Sequence, residues 1–344
     1  MRYRTLGNTG VKVSELCLGA MMFGANGNRD HDNCVGMIRR SLDAGINFVD
    51  TADVYSRGES ETIVGKALSG RRDDVVLATK FHGAMGDGPN MAGNSRRWIV
   101  REVEDSLRRL GTDWIDVYQV HRPDPTTEID DTLAALDELV RSGKVRYAGC
   151  STFPAEYIVE AHWAAERRGF ERFRTEQPPY SIFARAIENA VLPTCERYGM
   201  GVLVWSPLNG GWLTGRYSKG HVERSSRMDR MPLRFDLERP DNQRKLELCR
   251  ELEKVAAEAG TDLLGLALGF VLAHSAVSSA IVGPRTDEQL DGILAASAPP
   301  LDDDVLDRID ALVPPGTDVS DADGRWVPPA IDSAWRRRRS RAIR

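Results

Sequence analysis

The stretch INFVDTADVY, residues 46–55, decides the fold. It begins as an apolar run short enough for a buried strand, which ends at Asp50, and Tyr55 stands on the loop that follows. Two later runs have the same form, because VVLATK ends at Lys80 and IDVYQVH ends at His121. A strand interior has little use for ionisable side chains, so we expect several strand ends to face one pocket. This arrangement is typical of a parallel barrel with its site at the carboxyl ends of the strands.

The composition limits the classes of function. The chain has 344 residues and a mild net charge of -5, which gives no specific indication of nucleic acid or a membrane as a partner. No apolar stretch reaches the roughly 20 residues of a membrane span, and the N-terminus has no apolar signal core, so we expect a cytoplasmic protein. The five cysteines and six histidines are scattered without a disulfide or metal-binding pattern, and we expect no metal.

Apolar runs and helix signals alternate along the chain. Strands are expected near 16–20, 46–50, 75–80, 115–120, 145–150, 173–177, 201–205 and 278–282. Helices are expected near 32–43, 60–69, 96–109, 128–142, 155–168, 187–197, 242–273 with a break at Gly260, and 286–296. Residues 1–14 form a hairpin that caps the bottom of the barrel. Eight strand–helix units predict an α/β fold of the (β/α)8 TIM-barrel type, which needs about 250 residues.

Long loops and a C-terminal extension complete the predicted organisation. One barrel domain is expected over residues 1–312, followed by an extension over 313–344 that lies partly over the rim. The loops 82–95 and 206–241 follow the third and seventh strands, so they belong to the rim that carries the site. The basic run Arg336–Arg339 is interpreted as a frayed, solvated end, since no aromatic residues are interleaved with it.

The four residues Asp50, Tyr55, Lys80 and His121 suit the transfer of a proton to an oxygen at neutral pH. A free phenol has a pKa of about 10, and a nearby ammonium group favours the phenolate. Asp50 would hold Lys80 in place, His121 would orient a carbonyl oxygen, and Tyr55 would act as the general acid. Each residue alone has an ordinary structural interpretation, such as a turn cap or a core histidine. Their positions on three successive strand ends favour the catalytic interpretation.

The sequence resembles the aldo-keto reductases at several motifs. They are DTADVY (50–55), ATK (78–80), YQVH (118–121), GKVRYAGCS (143–151), EQPPYS (176–181), WSPLNGGWLTGRY (205–217) and VGPRTDEQL (282–290). The resemblance covers most of the chain and points to the bacterial branch related to the potassium-channel β-subunits. The segments PPGTDV (314–319) and GRWVPPA (324–330) resemble a C-terminal extension of some bacterial members.

The resemblance implies a barrel that binds NADPH without a Rossmann domain, and the sequence has no Gly-x-Gly-x-x-Gly fingerprint after its first strand. Hydride would pass from nicotinamide C4 to a carbonyl carbon, with the proton donated by Tyr55. The partner is then a small-molecule carbonyl compound, an aldehyde or ketone that is reduced to an alcohol. The oligomeric state stays open, a homo-oligomer included.

Cofactor contacts follow position by position from the same resemblance. Ser151 and Gln177 would bind the carboxamide, and Trp205 would stack on the nicotinamide ring. The glycine-rich run with Arg216 suits a pyrophosphate, and Arg285 at a helix N-terminus suits a 2′-phosphate, which favours NADPH over NADH. The full expected set is Gly19, Met21, Asp50, Ser151, Gln177, Trp205, Ser206, Pro207, Leu208, Gly210, Gly215, Arg216, Arg227, Gly283, Arg285, Thr286 and Gln289.

The sequence departs from the family pattern at two places. Thr152 stands where an Asn often follows the serine of the fifth strand, and Gly292-Ile293 stand where an Asn often lies near the adenine. The expected substrate pocket is apolar with one cation, which suits a medium-sized aldehyde or ketone. Its expected walls are Met22, Phe23, Phe81, His82, Arg122, Trp212 and Trp326.

Two other functions remain open from the sequence. A nicotinamide-binding regulatory subunit would use the same site with slow turnover and would report the redox state of the cofactor to a partner. A barrel lyase or metal-dependent hydrolase would require a bound divalent ion.

Overall fold

The computed structural model describes residues 1–217, 226–296, 299–324, 326–327 and 331, and only the backbone of residues 226 and 227. Strands β1 (Tyr3–Thr5) and β2 (Lys12–Ser14) form the N-terminal hairpin. Eight parallel strands then close into a barrel in the order β10-β3-β4-β5-β6-β7-β8-β9. They are β3 (Leu16–Gly19), β4 (Phe48–Asp50), β5 (Val76–Phe81), β6 (Ile115–Val120), β7 (Val145–Ser151), β8 (Thr175–Gln177), β9 (Gly201–Val204) and β10 (Val277–Val282). The predicted (β/α)8 fold is confirmed.

The hairpin closes the amino end of the barrel, as expected. Its strands pair antiparallel, with Tyr3 opposite Ser14. Two side chains of the hairpin region, Leu6 and Val13, pack with five residues of the barrel strands into a fully buried apolar cluster. The strand residues are Cys17, Phe48, Ala78, Val117 and Leu203. Because this cluster fills the amino end, the described residues leave room for a ligand within the barrel only at its carboxyl end.

Helices surround the barrel. They are α1 (His31–Asp43), α2 (Glu59–Leu68), α3 (Arg96–Leu110), α4 (Ile129–Arg141), α5 (Ala155–Arg168), α6 (Val191–Tyr198), α7 (Ser226–Arg230), α8 (Pro240–Glu258), α9 (Leu263–Ala273), α10 (Asp287–Ala295) and α11 (Asp303–Leu312). The predicted segment 242–273 is two helices, since Gly260 has a φ of +69° and the Asp262 side chain caps α9 at the Gly265 N–H. Helix α11 is absent from the sequence prediction because it lies beyond the eight strand–helix units.

The apolar helix α9 is a core helix of the barrel. Nine of its eleven residues are buried, and it packs against β10 and α8. Among the described residues no single helix is long and apolar enough to cross a membrane, and only the pair α8 and α9, bent by 86°, meets the length and composition criterion together.

The C-terminal extension is anchored by a buried ion cluster. Asp323 is almost fully buried and accepts hydrogen bonds from Lys245 at 2.9 Å and from Arg234 at 3.3 Å. Three residues earlier, the Ser320 hydroxyl donates to Asp241 at 2.6 Å. The neighbouring Gly324, with a φ of +104°, is packed so closely that a Cβ there would lie 2.1 Å from the Trp205 ring. The described part of the extension therefore lies against the rim of the barrel.

We predict that Asp323→Asn lowers the free energy of unfolding by about 3 kcal/mol, because Lys245 and Arg234 would lose their shared buried counter-charge. Urea unfolding of the variant and the wild type measures this difference. The control is Asp321→Asn, which removes the same charge from an exposed position in the same turn. Equal destabilisation by the two variants would show that the buried cluster does not hold the extension.

Candidate active site

The ammonium group of Lys80 is the centre of the predicted site. Lys80 is fully buried on β5, and its Nζ donates to Asp50 Oδ2 at 2.6 Å and to the Thr51 carbonyl oxygen at 2.7 Å. Strands β4 and β5 are neighbours, with Asp50 paired to Ala78. Burial lowers the pKa of Lys80, but Asp50 and Tyr55 more than offset this effect, and the net pKa is raised. Lys80 is therefore a fixed cation at neutral pH.

Tyr55 lies over this cation. Its hydroxyl is 3.4 Å from Lys80 Nζ, and its ring packs edge-on against His121 with the ring centroids 5.8 Å apart. The turn after Tyr55 places Ser56 and Arg57 at φ values of 49° and 54°, which non-glycine residues seldom adopt. The four residues singled out in the sequence therefore meet at one end of the barrel.

The pKa of Tyr55 requires a correction to the sequence-based expectation. Burial raises it above 10, and Asp50 adds to this effect, whereas Lys80 and Arg122 only partly oppose it. The phenol therefore keeps its proton at neutral pH rather than becoming acidic. Burial also lowers the pKa of His121 well below its usual range, together with the charges of Lys80 and Arg122. A protonated phenol next to a neutral imidazole is what a general acid and a hydrogen-bonding partner require.

Amide side chains hold the second oxygen of Asp50. Gln177 Nε2 donates to Asp50 Oδ1 at 2.8 Å, and Gln119 Nε2 lies 3.4 Å from the same oxygen. The hydroxyl of Ser151 donates to the main-chain carbonyl oxygen of Gln177 at 2.9 Å. The sequence prediction does not include fully buried Gln119, although an amide within the apolar run two residues before His121 is a signal that the sequence carries.

A cavity of about 980 Å³ opens above this cluster. Tyr55 and His121 line it, as do Met22 and Arg122 of the expected substrate walls. The expected cofactor contacts that line it are Gly19, Met21, Asp50, Ser151, Gln177, Trp205, Ser206, Pro207, Leu208, Gly210, Arg216, Gly283, Arg285 and Gln289. Gly215 and Thr286 are not on its wall, and the side chain of Arg227 lies outside the described residues. Thr286 instead caps α10 through the Gln289 N–H.

Three expected aromatic walls lie in the core rather than on the cavity. Phe23, Phe81 and Trp212 are fully buried. Phe81 follows the inward-facing Lys80 on a strand, so it points outward, where its ring lies 4.9 Å from that of Tyr118. Trp212 stacks on Tyr217 at 4.0 Å between centroids.

The two remaining expected walls have partners elsewhere. His82 Nδ1 lies 2.9 Å from Asn94 Oδ1, and the Trp326 ring packs against Tyr157 at 5.3 Å. The wall also includes residues outside the expected set of contacts. Some come from loops without a regular pattern, and others lie at the end of β10 or within α9 and α10. These residues are Gly211, Thr214, Arg230, Met231, Pro232, Leu233, Arg234, Leu264, Ile281, Val282, Pro284, Gly292, Ile293, Ala322 and Gly324.

The glycine-rich segment after β9 fits an anion. Gly210 and Gly211 have φ values of 71° and 101°, and a Cβ at Gly211 would lie 2.8 Å from Arg216 Nη2. Arg216 Nε is buried without a hydrogen-bond partner among the described residues. Because Gly211 has no side chain, the Arg216 guanidinium can pack beside it. The N–H at Arg216 Nε can then donate to a phosphate oxygen.

Trp205 is fixed on two sides. Its indole N–H donates to the Thr152 hydroxyl at 3.3 Å, and Gly324 of the extension lies against the ring. Thr152, the residue that replaces the usual Asn, has a φ of 59°. The substitution therefore supplies a hydroxyl that orients the tryptophan.

The fold and the site together define a class of protein, a parallel barrel in which a tyrosine hydroxyl contacts a buried lysine at the carboxyl ends of the strands. The chain belongs to the aldo/keto reductase family, a family of oxidoreductases. The family model described as "Aldo/keto reductase family" matches residues 15–314.

Three relatives illustrate the similarity. The "Uncharacterized oxidoreductase YrpG" of Bacillus subtilis is 39% identical over 334 residues, covering 94% of this chain and 99% of the relative. The "Probable voltage-gated potassium channel subunit beta" of Oryza sativa is 36% identical, covering 91% and 97% of the two chains. The "Aldo-keto reductase YhdN" of Bacillus subtilis is 34% identical, covering 85% and 88%. The resemblance inferred from the motifs, including its branch, is confirmed.

A second carboxyl group, outside the predicted set, lies on the outer face of the strand that carries Gln177. Glu176 precedes Gln177 on β8 and is fully buried, and its Oε1 accepts a hydrogen bond from the Phe153 N–H at 3.1 Å. Its Oε2 has no hydrogen-bond partner among the described residues. Burial raises the pKa of Glu176 to about 7. Glu176 therefore changes charge near neutral pH.

We predict that Glu176→Gln becomes more stable relative to the wild type as the pH rises from 5 to 8. A carboxyl group with a folded-state pKa of about 7 and an ordinary value of 4.5 binds its proton more tightly in the folded state. Its contribution to stability is full below pH 4.5 and is lost as the pH rises through 7, up to about 3 kcal/mol. Urea unfolding at both pH values measures the difference, with the exposed Glu160→Gln as control. A stability difference that stays constant between pH 5 and 8 would contradict the prediction.

Proposed function

We propose that the protein is an NADPH-dependent oxidoreductase that reduces an aldehyde or ketone to an alcohol. The observation that carries the proposal is the contact between Lys80 Nζ and the Tyr55 hydroxyl at the base of a cavity of about 980 Å³. When bound, NADPH supplies the hydride for the carbonyl carbon. The chain supplies the proton for the carbonyl oxygen.

Each residue of the cluster has a definite task in this reaction. Tyr55 donates its hydroxyl proton as negative charge develops on the carbonyl oxygen, and the nearby Lys80 ammonium stabilises the phenolate that remains. Neutral His121 lies against the Tyr55 ring, where it can donate a hydrogen bond to the same oxygen. Asp50 keeps the ammonium in place and is itself held by Gln177.

The basic residues of the cavity wall support NADPH as the cofactor. Arg216 and the glycines beside it would hold the pyrophosphate, and Arg285 before α10 would hold the 2′-phosphate. Ser151, Gln177 and Trp205 would hold the nicotinamide end. We further propose a small carbonyl compound as the partner and the cytoplasm as the location.

We predict that Tyr55→Phe lowers kcat by at least about 100-fold, because the proton donor is removed while the cavity is unchanged in shape. Loss of NADPH absorbance with an activated aldehyde measures kcat, and fluorescence titration is expected to show NADPH binding within about threefold of wild type. Tyr3→Phe removes a hydroxyl at the opposite end of the barrel, where Tyr3 donates to the Gly45 carbonyl oxygen, and serves as control. Equal rates for wild type and Tyr55→Phe would exclude Tyr55 as the donor.

A second function is supported by the relatives described as probable potassium channel β-subunits, which are 36% identical to this chain. In this second function the protein is a nicotinamide-binding regulatory subunit whose slow redox step reports the redox state of the cofactor to a partner. Such a subunit would consume about one NADPH per chain and then stall.

We predict that the wild-type protein oxidises more than about ten NADPH molecules per chain within minutes, as expected for kcat values of ordinary enzymes. The measurement is a progress curve with NADPH in excess over protein and a panel of aldehydes. A burst of about one equivalent followed by no further oxidation would favour the regulatory function instead.

A further inference from the structure

Arg122 is a cation in the cavity wall, and the proposed reaction does not give it a role. It follows His121 directly after β6 and lines the cavity beside Tyr55. Its Nη1 donates to the His121 carbonyl oxygen at 2.6 Å, and the Ser151 hydroxyl lies 3.5 Å away. A guanidinium has five N–H groups, so most of its donors are not used by these contacts.

No carboxylate of the described residues forms an ion pair with Arg122. Among the described residues that line the cavity, Asp50 is the one acid, and it is bound to Lys80 at 2.6 Å. The charge of Glu176 also acts on Arg122, but Glu176 is only partly ionised at neutral pH because its pKa is about 7. The wall therefore presents a cation without a full counter-charge next to the residues that would receive the carbonyl group.

The position of Arg122 around the barrel separates it from the predicted phosphate sites. Its strand β6 lies four places from β10 in the ring of eight strands, so it is diametrically opposite. Arg285 follows β10, and Arg216 follows β9, the neighbour of β10. A phosphate held by Arg216 or Arg285 is thus on the other side of the cavity mouth. A group bound by Arg122 would therefore belong to the substrate and not to the phosphates of the cofactor.

We propose that Arg122 binds an anionic group of the substrate, and that the preferred substrates are aldehydes or ketones that carry a carboxylate. The inference rests on the proposed carbonyl reduction and assigns its substrate class. Arginine and carboxylate form two parallel charge-assisted hydrogen bonds, which fix the orientation of the substrate as well as holding it. Because Arg122 adjoins His121, such binding would direct the carbonyl oxygen of the substrate to Tyr55.

The test compares two substrates of nearly the same shape, 4-formylbenzoate and its methyl ester, which differ in charge. We expect the wild-type protein to have a higher kcat/KM for the acid. Arg122→Gln is expected to lower kcat/KM for the acid about 10- to 100-fold, mainly through KM, and to change kcat/KM for the ester less than about threefold. Arg122→Lys keeps the charge and is expected to retain part of the preference. Arg97→Gln removes the same charge from an exposed position and is the matched control.

The outcomes separate this inference from the proposed function. If the wild type reduces neither compound nor other aldehydes, the proposed function fails. If the wild type reduces the ester but shows no preference for the acid, the substrate class is wrong and the function stands. An equal loss for both compounds in Arg122→Gln would assign Arg122 a structural role. If Arg122→Gln lost NADPH affinity by the same factor as kcat/KM, Arg122 would be a cofactor contact. Either of these last two results overturns the inference.

Discussion

The ion pair between Lys80 and Asp50 is the constraint on which the site depends. Both groups are buried at the carboxyl ends of neighbouring strands, and their separation of 2.6 Å leaves no space for water between them. Removing two charges from water is costly, so the pair is kept only with further hydrogen bonds. The Thr51 carbonyl oxygen binds the ammonium, and Gln177 binds the carboxylate. The barrel therefore holds a preorganised cation directly beneath the Tyr55 hydroxyl.

The carboxyl rim is assembled from parts that are distant in the sequence. The glycine-rich segment after β9, the loop 231–234 and the extension all contribute to the cavity wall. Asp323 joins two of them, because it binds Arg234 of the loop and Lys245 of α8 within one buried cluster. Gly324 then contacts Trp205 directly. Movement of the extension would consequently disturb both the loop and the tryptophan that is expected to pack on the nicotinamide.

The strands and the residue cluster at Lys80 could be predicted from the sequence because each depends on local pattern. An apolar run that ends in Asp50 or Lys80 predicts a buried strand, and the ionisable residue at its end predicts the site. The pocket walls could not be predicted in the same way. Phe81 is adjacent to Lys80 but points to the other face of the strand, and strand alternation alone is enough to exclude it. Met231 and Leu233 line the cavity from a loop without periodicity, so only the tertiary structure reveals them.

The charges at the base of the cavity explain why a tyrosine with a raised pKa still suits the proposed reaction. Lys80 and Arg122 are positive, Asp50 is negative, and His121 is neutral because burial and the two cations oppose its protonation. Burial keeps the proton on Tyr55 at neutral pH, which is the form that the proposed general acid requires. In the proposed reaction, negative charge develops on the carbonyl oxygen and then on the phenol, where the Lys80 ammonium is already in place. Lys80 would thus act on the charged product of proton transfer more than on the resting phenol, which is the condition for a general acid that must release its proton only during the reaction.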